Sequence, residues 1–531
     1  MTLRATYRAP DAARYRAAGG PWDVPVLDSV MRQRPRDKGD VLVDGDRRFN
    51  GLQLETLIAG LAGGLRSLGV RRGDVVTWQM PNWWEALVLY RACWRCGAIA
   101  APLHHQFGAA EVEYMVGVLE PTVAFSSPSL PLAERAGTIG VRSDSSRFNE
   151  LLEASPVRPT TPTPTTATPS KPNRPSDLAV VIFTSGSTGR PKAVLHTHRG
   201  LAYKAQKMTA VHGLSSADAV LMPAPLAHIS GLLNAVLVPG AAAMRTVLMD
   251  RWDVGRGLRL IEQERISYMI GPPTMFTAVM DDAGFAPEKV ASLRVVSSGM
   301  MGVSPAFIAA AREGLGAIVK RSYGSTEAPT VSTGTNDDPP ERCQDTDGRA
   351  VGDVVIRISD PVSGRARSAG QEGEVWIKGP ELFAGYSDAA ETAASMHRGW
   401  FRSGDLGVLD DQGWLSITGR IKELIIRGGE NISSSEVERA LELHPGIRQA
   451  VVVGRPDEGL GERVVAFVVG TGSGPDVIDV AECRRWFAEH GVARFKTPEL
   501  VVQLDEVPLL AAGKPDRTAL KARAATLSMA G

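Results

Sequence analysis

The chain has 531 residues, more than one hydrophobic core accommodates, since cores stop growing near ~250 to 300 residues, so at least two folding units are expected. Its 59 Lys plus Arg balance 59 Asp plus Glu, which leaves no overall field to draw it onto nucleic acid or an anionic membrane; any anion must be held locally. Four cysteines in so long a chain exclude a disulfide framework.

The first residues, MTLRATYRAPDAARYRAAGG, contain arginines but no apolar core followed by a cleavage site, which argues against secretion and for a cytoplasmic location. From Leu54, the residues Leu57, Ile58, Leu61, Leu65 and Leu68 recur at helical spacing, and Gly69 stands where that helix ends. Cys93 and Cys96 lie in an apolar stretch with no second pair nearby and read as buried helix thiols rather than metal ligands. Residues 155–177 are so rich in Pro and Thr that they form no packed element, and they read as a solvated excursion within a domain.

Residues 180–183 read as a buried strand, followed by Thr184, Ser185, Gly186, Ser187, Thr188, Gly189, Arg190, Pro191 and Lys192, then by a second short strand at 193–195. Glycines let backbone N–H groups approach an anion, hydroxyls donate further bonds, and Arg190 and Lys192 add charge. Polyphosphate is the natural ligand, although the sequence is not a Walker A loop. The uncharged run 221–244 is interrupted by Pro223, Pro225, His228 and Pro239, which suits a buried core or pocket wall better than a membrane span. Further buried strands are expected at 293–296, 354–358 and 375–377. Beyond Gly419, strands at 450–453 and 464–469 and helices from Glu436 and Val480 suffice for a small separate unit.

The run TSGSTGRPKAV resembles the phosphate loop of the acyl-adenylate-forming superfamily, which includes acyl-CoA synthetases, peptide-synthetase adenylation domains and firefly-type luciferases; Ala193 replaces its usual glycine. The superfamily's other segments recur in order. Tyr323, Gly324, Ser325, Thr326 and Glu327 are similar to Y-G-x-T-E, in which an aromatic face stacks on adenine, a hydroxyl reaches phosphate and the carboxylate holds magnesium. Gly299 and Met300 occupy the adenine segment, where Met300 and Met301 suit core packing equally well. Asp405 ends a G-W-x-x-S-G-D segment that implies a contact to the ribose hydroxyls. Arg420 and Lys422 match the hinge segment, implying a ribose or phosphate contact and a pivot. Gly428 and Gly429 fall in the loop that faces coenzyme A, and Ser434 is expected to cap the next helix. Lys514, in P-x-x-x-x-G-K-x-x-R, corresponds to the adenylation lysine.

The resemblance implies an α/β protein with a large N-terminal domain of mixed β-sheets flanked by helices (1–419), a hinge at 420–422 and a small mobile α+β C-terminal domain (423–531). It implies catalytic roles for Lys514, Thr188, Glu327 and His228, with ATP, Mg2+ and coenzyme A as reactants or cofactor. His228, Ser230, Gly231, Asn234 and Ser325 would line the pocket for a small carboxylic acid. Apolar neighbours of His228 favour a fatty or alicyclic acid, as in the cyclohexanecarboxylate and fatty-acid CoA ligases that the chain most resembles. A carrier-protein thiol as acceptor, a luciferase-like oxygenase and a non-enzymatic nucleotide binder are the alternatives, and a homodimer is left open. No nucleic-acid partner and no transmembrane segment are expected.

Overall fold

The structure is a computed structural model that describes residues 3–31, 39–142, 146–153, 173–184, 190–299, 303–428, 430–471, 478–509 and 515–527. It divides into two compact units, Met1–Ile356 with Ile377–Phe401, and Arg357–Trp376 with Arg402–Gly531.

The first unit is built on two sheets of six and nine strands. Strands Val75–Gln79 and Ile99–Leu103 are buried along their whole length, as expected of parallel strands covered by helices on both faces. The helix expected from Leu54 is Gly51–Ser67; a reciprocal Asn50–Gln53 capping box sets its start. Leu54, Ile58, Leu61 and Leu65 are buried, and Gly69, at φ +88°, takes the left-handed turn that ends it. Cys93 and Cys96 are buried free thiols on helix Trp84–Cys96.

Most of the Pro/Thr-rich excursion lies outside the described residues, but its return is pinned by Arg72 to Asp177 at 2.6 Å. The strand that follows, Leu178–Thr184, joins the six-stranded sheet beside Ile99–Leu103. The uncharged run folds into strand Ala219–Met222 and three short helical pieces, Ile229–Leu232, Leu233–Leu237 and Val238–Ala242. Among the described residues no helix is long and apolar enough to cross a membrane.

The strand expected at 293–296 is Val295–Ser298. Leu293 is buried from the preceding turn. Ser297 and Ser298 extend the strand because their hydroxyls find buried partners, Ser322 Oγ and Gly271 O, each at 3.1 Å.

In the second unit, Glu430–Ser433, Leu424–Arg427, Gly461–Gly470 and Ile447–Asp457 form a sheet in that order, with Leu500–Gln503 beside Gly461–Gly470. The two long strands extend well past their apolar centres, because polar residues such as Arg455 and Arg463 continue the hairpin register. A second pairing, Trp400–Leu409 with Leu415–Arg420, sets Asp405 opposite Arg420. The segment expected to act as hinge lies within this unit, where Ile421–Glu423 forms one 3-10 turn.

Lys204 and Glu381 are both fully buried, 3.8 Å apart, and Lys204 also donates to Thr330 O at 3.0 Å. Burial lowers the proton affinity of the amine and raises that of the carboxyl. Removing one partner strands the other, so Lys204→Met should cost roughly 3 kcal/mol. Lys204→Met combined with Glu381→Leu should recover most of it, as read by thermal unfolding.

Candidate active site

Strands Ala219–Met222, Arg245–Leu248, Tyr268–Gly271, Val295–Ser298 and Ile318–Tyr323 are parallel neighbours, so their carboxyl ends share one edge. Open α/β sheets bind ligands at such an edge. Three of the expected binding segments leave the sheet there: residues 223–231 carrying His228, Gly299 directly after Ser298, and the Tyr323 to Glu327 segment. Both glycines sit at close backbone approaches. A Cβ on Gly324 would lie 2.4 Å from Thr330 N, and one on Gly299 2.8 Å from Ser322 O. Ser325 N donates to Ala328 O at 3.0 Å and Ser325 Oγ accepts from Ala328 N at 3.2 Å, closing the loop that presents Thr326 and Glu327. A cavity of about 880 Å3 lies instead at the amino-terminal edge, lined by Ala219, Arg245, Ser267, Arg294 and Ile318, and is separate from this site.

The expected phosphate loop joins Leu178–Thr184 to Lys192–Thr197 as an antiparallel hairpin with Thr184 opposite Lys192. Ser185, Gly186, Ser187, Thr188 and Gly189 lie outside the described residues, as do Met300, Gly429 and Lys514. The hairpin belongs to the six-stranded sheet, yet it is tied directly to the loop after Tyr323. His196, on the second hairpin strand, holds Thr326 O through Nε2 at 2.8 Å. A carbonyl only accepts, so Nε2 carries the proton. Residues 383–387 run alongside: Ala384 N donates to Leu195 O, Leu195 N to Gly385 O, and Phe383 N to Glu327 O. From this segment the Tyr386 hydroxyl donates to Glu327 Oε1 at 2.6 Å. Burial and the Glu327 charge raise the phenol's proton affinity, so Tyr386 stays a donor. Lys192 lies 5.3 Å from the Tyr386 ring centroid and 3.1 Å from Glu391.

His228 stands at the position preceding the one-turn helix Ile229–Leu232. Gly231 is required by packing, since a Cβ there would meet Pro225 O at 2.1 Å. Asn82 holds the preceding turn, accepting from Leu226 N and donating to Ala224 O, each at 2.8 Å. Asn234, expected as the pocket's polar group, is taken up inside the fold instead: it donates to Ser230 O at 2.9 Å and accepts from the Tyr268 hydroxyl at 2.8 Å. Its amide holds the helical turn beside Ser230.

In the second unit Arg420 pairs with the buried Asp405 at 2.9 Å across the strand pair. Asp405 N is held by Ser403 Oγ at 3.0 Å. Gly428, at φ +57°, donates to Leu460 O at 2.7 Å, and Arg427 beside it binds Glu499. Ser434 does not cap its helix: it is the first helical residue, Ser433 precedes it, and the Ser434 hydroxyl bonds Glu423 O, one residue beyond Lys422. The residues flanking the Lys514 segment, Leu509 and Pro515, are bridged to each other.

His196, Tyr386, Glu391 and Asn82 were not evident from the sequence. Only His196 left a signal, a polar residue inside an apolar strand run.

Tyr386→Phe keeps the ring under Lys192 and removes one bond to a carboxylate, so pyrophosphate formation from ATP should fall about 10-fold with little change in melting temperature. Burial lowers the pKa of His196 to about 4. Because the unfolded chain takes up this proton near pH 6.5, stability is complete above pH 6.5 and declines as pH falls toward 4, by about 3 kcal/mol for this group. The melting temperature of His196→Gln should depend less on pH across that window.

Three comparisons bear on this arrangement. The sequence pattern described as AMP-binding enzyme matches residues 27–387, and that described as AMP-binding enzyme C-terminal domain matches residues 436–514. The chain is 31% identical to the medium-chain fatty-acid–CoA ligase of Escherichia coli (strain K12), covering 98% of this chain and 94% of that one. It is 31% identical to a feruloyl-CoA synthase of an Amycolatopsis species, covering 91% and 96%. The structure of ATP-bound MatB from Rhodopseudomonas palustris superposes with a TM-score of 0.84 at 26% identity, covering 94% of this chain and 98% of that one.

Proposed function

Because the chain belongs to the AMP-binding enzyme family and is an AMP-forming acid–CoA ligase, we propose that its substrate is a largely apolar fatty or alicyclic acid, activated on the residues named above. A carboxylate oxygen attacks the α-phosphorus of ATP, forming the P–O bond of an acyl-adenylate as the bond to pyrophosphate breaks. The thiol of coenzyme A then attacks the acyl carbon and AMP leaves. The first step gathers negative charge on phosphate oxygens, so it calls for prepositioned cations and donors rather than a nucleophilic side chain.

In this reading Thr184, Ser185, Gly186, Ser187, Thr188, Gly189 and Lys192 cradle the phosphates, Tyr323 stacks on adenine, Asp405 and Arg420 hold the ribose, and Lys514 meets the transition state. His228, Ser230 and Gly231 line the acid pocket. The single observation supporting it best is the coupling of the phosphate hairpin to the Thr326–Glu327 loop through His196 and Tyr386. The apolar wall after Ala219–Met222 and the fatty acid in the name of the Escherichia coli relative support the substrate class.

Magnesium fits as a nucleotide-borne ion. No cluster of three metal-binding side chains occurs among the described residues, whereas Glu327 offers one carboxylate, the usual protein share when phosphates supply the rest. When bound, the ion offsets phosphate charge.

Lys514→Ala should slow pyrophosphate formation by on the order of 100-fold while sparing thioester formation from premade acyl-adenylate; undiminished adenylation would overturn the assignment. Lys422→Pro should impair transfer more than adenylation if Lys422 is the pivot, and equal losses would refute it. Pyrophosphate release across aliphatic, alicyclic and aryl acids, with coenzyme A present and absent, tests the substrate class.

A further inference from the structure

His104 follows strand Ile99–Leu103 of the six-stranded sheet and is only 2% exposed. Its ring lies 5.0 Å from that of His228, 4.6 Å from His105 and 5.6 Å from Phe107, centroid to centroid. Residues from the two sheets thus meet where His228 is read as lining the acid pocket.

Gln106 N donates to His104 Nδ1 at 3.1 Å. An accepting Nδ1 has a lone pair, so the ring is neutral and its proton is on Nε2. Burial, reinforced by His228 and His105, lowers the pKa of His104 to about 3 and keeps the ring in that state. Nε2 is buried and has no hydrogen-bond partner among the described residues. Native folds pair nearly all buried donors, and an orphaned one calls for an acceptor. A water would need two to four polar partners, and the aromatic neighbours of this ring are His105, Phe107 and His228.

We infer that His104 is a specificity residue whose Nε2–H binds a second oxygen of the acid, so that the substrate is an alicyclic acid carrying an uncharged acceptor, a keto, hydroxyl or ether oxygen, away from its carboxylate. An uncharged oxygen suits this donor because the neutral His104 ring brings no charge to offset a buried carboxylate. The inference rests on the reading of His228 as a wall of the acid pocket and narrows the proposed substrate class. A site built around a buried donor rejects analogues lacking the acceptor, because the donor is then left unpaired.

The test uses the full chain with ATP, Mg2+ and coenzyme A, measuring kcat/KM for 3- and 4-oxocyclohexanecarboxylate against cyclohexanecarboxylate. One oxo acid is expected to be preferred by about 30-fold. His104→Phe should bring the ratio close to one, mainly by loss on the oxo acid, and His104→Gln, which retains an N–H near the same place, should keep part of the preference. Equal use of the acids by the unsubstituted enzyme overturns the inference while leaving the proposed ligase reaction intact, as does an equal loss on all acids in His104→Phe. Pyrophosphate release with none of the acids in the wider panel would overturn the proposed substrate class as well. If thermal unfolding shows that His104→Phe does not fold, the ratio for the unsubstituted enzyme and for His104→Gln decides.

Discussion

On the proposed reading a hairpin on one sheet meets the phosphates of a nucleotide presented by another sheet, which requires the two to be fixed to each other. The bond between His196 Nε2 and Thr326 O does this. It joins the second hairpin strand to the loop that follows Tyr323, and the 383–387 segment doubles the connection by pairing with residues 193–195 while Phe383 N binds Glu327 O. Burying a histidine for this purpose is costly, which is why its proton affinity is so far depressed. The return is positional: one planar imidazole spans from the hairpin to the backbone of the loop that carries the carboxylate expected to meet a metal-bound nucleotide.

Three of the charged groups proposed to meet the nucleotide are held against partners within their own units. Lys192 faces Glu391, Glu327 accepts from Tyr386, and, within the second unit, Asp405 faces Arg420. A group held this way keeps its rotamer and its charge in a partly buried setting, where an unpaired ion would pay a desolvation penalty. On the proposed reading, an arriving polyphosphate or ribose would exchange partners rather than order loose side chains. That keeps the reorganisation small, the condition under which electrostatic stabilisation of a transition state is most effective.

The sequence was informative wherever chemistry depends on local spacing. The hydroxyl- and glycine-rich run placed a hairpin between 183 and 193, and the periodicity from Leu54 placed a helix within three residues of its true start, which the Asn50–Gln53 box determines. It was uninformative wherever a role depends on contacts distant in the chain. Nothing in FAGYSD marks Tyr386 as a partner of Glu327, 59 residues away, and nothing marks Asn82 as the brace for the turn before His228. Asn234 is ambiguous for the same reason. Polarity in an apolar run reads equally well as a pocket group or as a buried structural amide, and only the Tyr268 hydroxyl decides which. At Ser434 the spacing indicated a cap, but the hydroxyl is drawn off by the Glu423 carbonyl.

Arg517 gives the second unit a mechanical property that the proposed domain rotation requires. Its guanidinium donates to Val452 O at 2.8 Å, pairs with Glu438 at 2.7 Å and lies 3.5 Å from Glu423. It therefore ties the start of the last helix, three residues after Lys514, to the edge strand Ile447–Asp457, to the helix beginning at Ser434 and to the residue beside Lys422. Burial raises the pKa of Glu438 to about 7 despite this pairing, the mark of a junction kept dry by packing on all sides. A turn of the backbone at Lys422 would thus be carried through Glu423 and Arg517 to the start of the last helix. Rotation about one residue can deliver or withdraw a group only if what lies between them moves as a body, and this half-buried arginine links the start of the last helix to the residue beside Lys422.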